Sequence, residues 1–134
     1  WLPTLLELIG AKDATPSGID GISFAPTLLG GQQAPRPFLY RESPGYGGQQ
    51  SVRVGDWKAI RIGLNPPAKN KNFDGAKQAD KIELYDLANY PRETTDVAAK
   101  HPEVVDRLRR ILEEQHIKSP IWRIRAIDGD AAEK

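Results

Sequence analysis

The residues best suited to chemistry are thinly spread. The two histidines, His101 and His116, stand fifteen positions apart, so no pair sits at the i,i+4 spacing of a helical metal site. His101 opens a helical stretch, and His116 stands near its end, where the helix dipole favours a positive charge. The absence of cysteine removes disulfides, thiolate ligands and thiol nucleophiles together. Ser23, Ser43, Ser51 and Ser119 lack the G-x-S-x-G setting of a hydrolase elbow. Pro44-Gly45-Tyr46-Gly47-Gly48 is rich in glycine but lacks the Gly-Lys-Ser/Thr ending of a phosphate loop. No helical pattern follows it, so it reads as a flexible connection between strands. Asp74-Gly75 and Asp128-Gly129-Asp130 are acidic turns without the run of oxygen donors that a calcium loop needs. No catalytic and no metal-binding residue is assigned in this chain.

Recognition is what remains. Trp57, Tyr40, Tyr46 and Arg53 together offer aromatic planes and a cation, the chemistry of a sugar carrying an anionic group. Trp57 and Tyr40 serve equally well as core fillers of a sheet. Tyr46, in a loop, and Arg53 are left as the substrate-cleft candidates.

These side chains must be carried by a small set of elements. Ser51–Val54 and Trp57–Ile62 alternate in polarity around Gly55-Asp56, where glycine supplies the positive φ that opens a type II′ turn, and read as a hairpin. Phe38–Arg41 and Ile82–Leu87 read as two further strands, and 65–80, rich in Pro, Lys and Asn, as a long exposed loop. Residues 95–118 read as a helix that starts at His101-Pro102-Glu103. Its apolar stripe is Val104, Val105, Leu108, Ile111 and Leu112, and Glu103–Arg107, Asp106–Arg110, Arg109–Glu113 and Arg110–Glu114 are spaced to pair along its wet side. The expected fold is α+β: an antiparallel sheet of about four strands packed by a long C-terminal helix. Two short apolar pieces, Leu2–Ile9 and Ile22–Leu29, precede it and have no complementary surface of their own.

The 134 residues are 39% hydrophobic and 28% charged, ordinary values for one globular domain. A net charge of +1 without a basic cluster argues against a nucleic-acid partner. No apolar run approaches the roughly 20 residues of a membrane span. The start Trp1-Leu2-Pro3 has no signal-peptide pattern, and the absence of methionine points to a beginning further upstream.

Five segments together carry a resemblance. Leu2-Pro3-Thr4-Leu5-Leu6-Glu7-Leu8-Ile9-Gly10 resembles the "LPTLLELAG" that follows the catalytic core of type I, arylsulfatase-like sulfatases of the alkaline phosphatase superfamily. Residues 19–30, with Asp20-Gly21, Pro26, Leu28 and Gly30, are similar to that family's "DG.SL.P.L.G". Val52–Lys58 is similar to "AVR.GDWK", and Glu83–Leu87 with Pro91 and Glu93 to "ELYDL..DP.E". Val97–Glu103 resembles the approach to the family's last helix. The match runs over about residues 2–122 in the family's order; Tyr90 and Thr94-Thr95-Asp96 depart from the usual residues.

The resemblance implies a parent enzyme that hydrolyses sulfate esters, of a small molecule or a glycan. It implies that formylglycine, made from a C/S-x-P-x-R motif, and calcium act in a catalytic domain to which this chain would be attached. That motif is absent here. On this reading residues 1–37 are the trailing edge of the catalytic domain, 38–122 the C-terminal subdomain and 123–134 a flexible tail. The chain would support the catalytic domain, wall part of its cleft and be inactive alone; the family implies a periplasmic or secreted setting. A phosphonate or phosphate monoester hydrolase fragment is the alternative within the superfamily. A stand-alone carbohydrate- or protein-binding module built on the Trp/Tyr-bearing sheet is the alternative outside it.

Overall fold

Residues 1–67, 70 and 72–129 are described by the computed structural model, which divides the chain into two units, Trp1–Arg36 and Pro37–Lys134. Residues 68, 69 and 71 of the expected loop, and 130–134 of the expected tail, lie outside the described residues.

In the first unit, helix α1 spans Leu2–Leu8, with Pro3 tolerated in the first turn because its missing N–H has no helical acceptor there. Helix α2 is a single turn, Ala25–Leu28. Thr4 ties the two together: its buried hydroxyl accepts the Phe24 N–H at 3.1 Å. Trp1 meets Phe24 edge to face at 5.0 Å between ring centroids. This leaves most of the apolar surface uncovered within the unit, and Leu5, Leu8, Ile9 and Leu29 are exposed.

In the second unit, β1 (Leu39–Ser43), β2 (Gln49–Val54), β3 (Trp57–Ile62) and β4 (Glu83–Asp86) form one antiparallel sheet in sequence order. The β2–β3 connection is the two-residue turn read in the sequence, with Val54 opposite Trp57. Of its two central residues only Gly55 has positive φ, 58°, as a type II′ turn requires. β4 is sealed on its far side by the chain that follows it. Val97 N–H donates to the Leu84 carbonyl at 2.8 Å, and Leu84 N–H donates to the Asp96 carboxylate at 3.0 Å.

Register sorts the side chains. Tyr40, Val52, Ala59 and Leu84 lie across from one another on one face; Arg41, Ser51, Ile60 and Glu83 do so on the other. The first face is covered by α4 (Pro102–Gln115), whose Leu108 and Leu112 are fully buried against Val52, Ala59 and Leu84. Val104, Val105 and Ile111 are half-buried beside them, as the stripe predicts.

Four features differ from the sequence reading. The helix is shorter than 95–118, because a 3-10 turn at Ala98–Lys100 precedes it and Pro102 sets its first turn. The four expected pairs along it do not form; Arg109 reaches off the helix to Asp80 at 3.1 Å and Glu113 to Arg61 at 3.2 Å. Within the stretch expected to be a loop, Gly75–Asp80 forms a short helix, α3, started by Asp74, whose carboxylate accepts the Lys77 N–H at 3.0 Å. Residues 124–129, expected in a flexible tail, carry the helical turn α5 (Arg125–Asp128) with Ile124 and Asp128 buried. The apolar Ile124 and the backbone and side-chain bonds from His116, Lys118 and Ile124 to Asp128 hold that turn down.

Candidate functional site

The β1–β2 connection builds the exposed tip of the sheet. Gly48 N–H donates to the Gly45 carbonyl at 2.9 Å, closing a turn whose central residues Tyr46 and Gly47 have φ of 52° and 78°. Two positive φ values match the twist of the flanking strands, but only glycine takes that conformation freely. Tyr46 is held in it and its side chain is 96% exposed.

The glycine-rich stretch is less loose than its composition predicts. Leu64 N–H donates to the Gly48 carbonyl at 3.0 Å and Asn65 N–H to the Gly47 carbonyl at 2.6 Å. Asn65 Nδ2 adds a bond to the Pro44 carbonyl at 3.2 Å. The loop is clasped to the chain leaving β3, which fixes where Tyr46 stands.

Below Tyr46, on the face away from α4, lies an open cavity of about 410 Å³ lined by Arg41, Gln49, Ser51, Lys58 and Ile60. Its hydroxyl, amide and cationic groups surround one aliphatic patch, a mixture that suits a polar, anionic ligand with an apolar ring face. Lys58 is committed to Glu93, Nζ lying 2.7 Å from both carboxylate oxygens. Among the described residues the Arg41 side chain makes no ion pair or hydrogen bond, so it is a free cation on this surface.

The two sequence candidates are separated by this geometry. Tyr46 stands over the cavity, but Arg53 sits toward the other end of β2, beside the β2–β3 turn, where its Nε donates to the Gly55 carbonyl at 2.8 Å. From Gln49, at the loop end of β2, to Arg53 is four strand steps, about 13 Å at 3.3 Å per residue. Register sets Arg41 opposite Ser51 on the open face, nearer to Tyr46. The four-residue aromatic face is not assembled. Tyr40 and Trp57 point toward α4, Trp57 packing on the His101 ring at 4.9 Å. Burial first, then the bond to Glu42, holds the Tyr40 hydroxyl well above its usual pKa.

The histidines do not meet. His101 caps α4, and His116 lies at its other end between the carboxylates of Glu42 and Asp128. Among the described residues no group of three or more His, Asp, Glu or Cys is placed to hold a metal ion. The sequence contains no C/S-x-P-x-R motif.

No family model matches the chain. Solved structures do. A sulfatase from a Bacteroides thetaiotaomicron locus for metabolism of multiple glycosaminoglycans aligns with TM-score 0.56 and 25% identity, over 83% of this chain and 23% of its own. A structure solved with its substrate, D-glucosamine-2-N,6-O-disulfate, aligns with TM-score 0.60 and 25% identity, over 84% and 22%. A protein assigned as a sulfatase, yidJ of Bacteroides fragilis, shares the fold with TM-score 0.58 at 16% identity, over 84% and 23%. The chain thus spans less than a quarter of the length of each of these structures. Its four-stranded antiparallel α+β fold matches the C-terminal portion of these sulfatase structures.

Proposed function

We propose that the protein carrying this chain hydrolyses sulfate esters of glycan saccharides, and that this chain is its C-terminal subdomain. The observation that carries this reading is the likeness, at 25% identity, to a sulfatase from a glycosaminoglycan-metabolism locus and to a structure in complex with its substrate, a disulfated glucosamine. In this reading formylglycine and calcium belong to the catalytic domain upstream, and this chain supports that domain. Its open sheet face walls part of the cleft, Arg41 meeting a negative group of the saccharide and Tyr46 stacking on a ring.

The test is hydrolysis by the purified full-length protein. Sulfate release from sulfated glucosamine saccharides, with little turnover of phosphate or phosphonate monoesters, supports the proposal. Preferred cleavage of the phosphorus esters overturns it in favour of a related hydrolase. The 134-residue chain alone is expected to release no sulfate from a chromogenic aryl sulfate.

A further inference from the structure

His116 leaves the end of α4 with both ring nitrogens facing carboxylates. Nδ1 lies 2.9 Å from Glu42 Oε2 on β1, and Nε2 lies 3.1 Å from Asp128 Oδ1 on α5. The ring is 16% exposed and the Asp128 side chain 1% exposed. A neutral imidazole carries one N–H, and an ionised carboxylate can only accept. With both carboxylates ionised, the two contacts are hydrogen bonds at once only when both ring nitrogens are protonated.

Asp128 is the fastening point of the C-terminal turn. Its Oδ2 accepts the Ile124 N–H at 2.7 Å and its carbonyl accepts Lys118 Nζ at 2.7 Å. The same turn docks on the chain leaving β3, through Ala126 N–H to the Leu64 carbonyl at 2.9 Å. Ala126 and Ile127 wall a cavity of about 330 Å³, opposite Arg61, Asp80 and Leu112.

We propose that His116 is a protonation-dependent latch: as imidazolium it fastens α5 to β1 and the end of α4, and on losing a proton it releases one carboxylate, loosening the turn and opening the cavity it walls.

The charges around the ring support one direction of response. Glu42 faces it from β1, Asp128 from α5 and Lys118 from the segment between α4 and α5. Across the cavity stand Arg61 from β3, Glu113 from α4 and Asp80 from α3. Arg61 is matched by Glu113, and Asp80 by Arg109, so the charges left around His116 are the two carboxylates of Glu42 and Asp128, opposed in part by the single cation of Lys118. Tyr40 donates to Glu42 and stays neutral over the relevant range.

Burial pulls the His116 pKa down, but the bonds to Glu42 and Asp128 outweigh it and leave it above 6.5. Burial pushes Asp128 up, but the Ile124 N–H and His116 bring it below 3.8. A raised histidine pKa gives stabilisation that is complete below 6.5 and lost as pH rises through the folded value. A lowered aspartate pKa gives stabilisation present above 3.8 and lost as pH falls through the folded value. The latch is therefore strongest between about pH 4 and 6.5, and it opens on the alkaline side.

The test is peptide-resolved hydrogen exchange on the full-length protein, with uptake referred to the unfolded protein at the same pH. Between about pH 5.5 and 8.5, protection of residues 120–129 should fall by about tenfold or more, a single proton allowing up to about tenfold per pH unit. Residues 104–114 of α4 should keep their protection. His116→Gln should show the low protection at both pH values. Asp128→Asn, which removes one of the two negative charges, should move the wild-type drop to lower pH. Constant protection of 120–129 across this range in the wild type would overturn the proposal without recourse to any variant. So would a wild-type pH response in His116→Gln with α4 still protected.

Discussion

Arg61 on β3 reaches Glu113 of α4, Nη2 to Oε1 at 3.2 Å, with the guanidinium 3% exposed and the carboxylate 56% exposed. Burial holds the arginine pKa below its usual value, and only the Glu113 bond and charge work strongly against that. Nη1 has a long contact to Gln50 at 3.4 Å, and Nε meets no acceptor. The charge is thus costly to bury and is answered mainly by one partner. It crosses from sheet to helix, so it fixes how α4 lies.

Removing the partner should then hurt more than removing the charge. Glu113→Ala leaves a buried cation unanswered and should cost about 1–3 kcal/mol, the solvent-exposed side of the pair limiting the loss. Arg61→Met keeps the volume and deletes the charge, and it should cost about 1 kcal/mol or less. Urea denaturation of both variants decides it. A larger loss for Arg61→Met would show that the pair contributes net stability.

Leu108 carries the packing between helix and sheet. It is fully buried with Val52, Ala59, Leu84, Val97 and Leu112. Leu108→Ala should cost about 2–5 kcal/mol, from lost transfer energy and the cavity left behind. A loss below about 0.5 kcal/mol in urea denaturation would mean that this contact does not hold the subdomain together.

How legible each element was follows from the range of the interactions that form it. The four strands and the Gly55-Asp56 turn rest on alternation and local backbone chemistry, and both stand in the sequence. The stripe of α4 is equally local. α3 was legible only through Asp74, three residues before the N–H it caps, inside a stretch dominated by Asn, Lys and Pro. The docking of Ile124 and Asp128 depends on Leu64 and Glu42, far away in the chain, and on His116 at the end of α4, and no periodicity announces it. That Arg41 shares the open face with Ser51 is not legible locally, because the register that sets the two opposite one another depends on the length of the Pro44–Gly48 loop.

That loop offers a matched pair of substitutions. A Cβ on Gly48, at φ 75°, would stand 2.5 Å from Asn65 Cβ and 2.6 Å from Asn65 N. Gly47 has a similar φ of 78° with nothing within 4 Å. Gly47→Ala should therefore cost only the left-handed backbone strain, about 1–2 kcal/mol. Gly48→Ala adds a backbone collision and should cost at least about 1 kcal/mol more. Equal losses by thermal denaturation would show that the clasp between this loop and Leu64–Asn65 is not tight.

Tyr46 sets stability against use. Its φ of 52° strains a residue that has a Cβ, and its ring is exposed, so nothing in its own packing repays that strain. Tyr46→Gly should relieve it and stabilise the subdomain by about 0.5–1 kcal/mol, the greater freedom of glycine in the unfolded chain limiting the gain. If the ring stacks on the saccharide, the same substitution in the full-length protein should raise KM severalfold at nearly constant kcat, the mark of lost uniform binding. Tyr46→Phe keeps the ring plane and should keep KM close to that of the wild type. A more stable Tyr46→Gly protein with unchanged KM on sulfated saccharides would remove Tyr46 from the cleft wall, leaving Arg41 as the remaining candidate there.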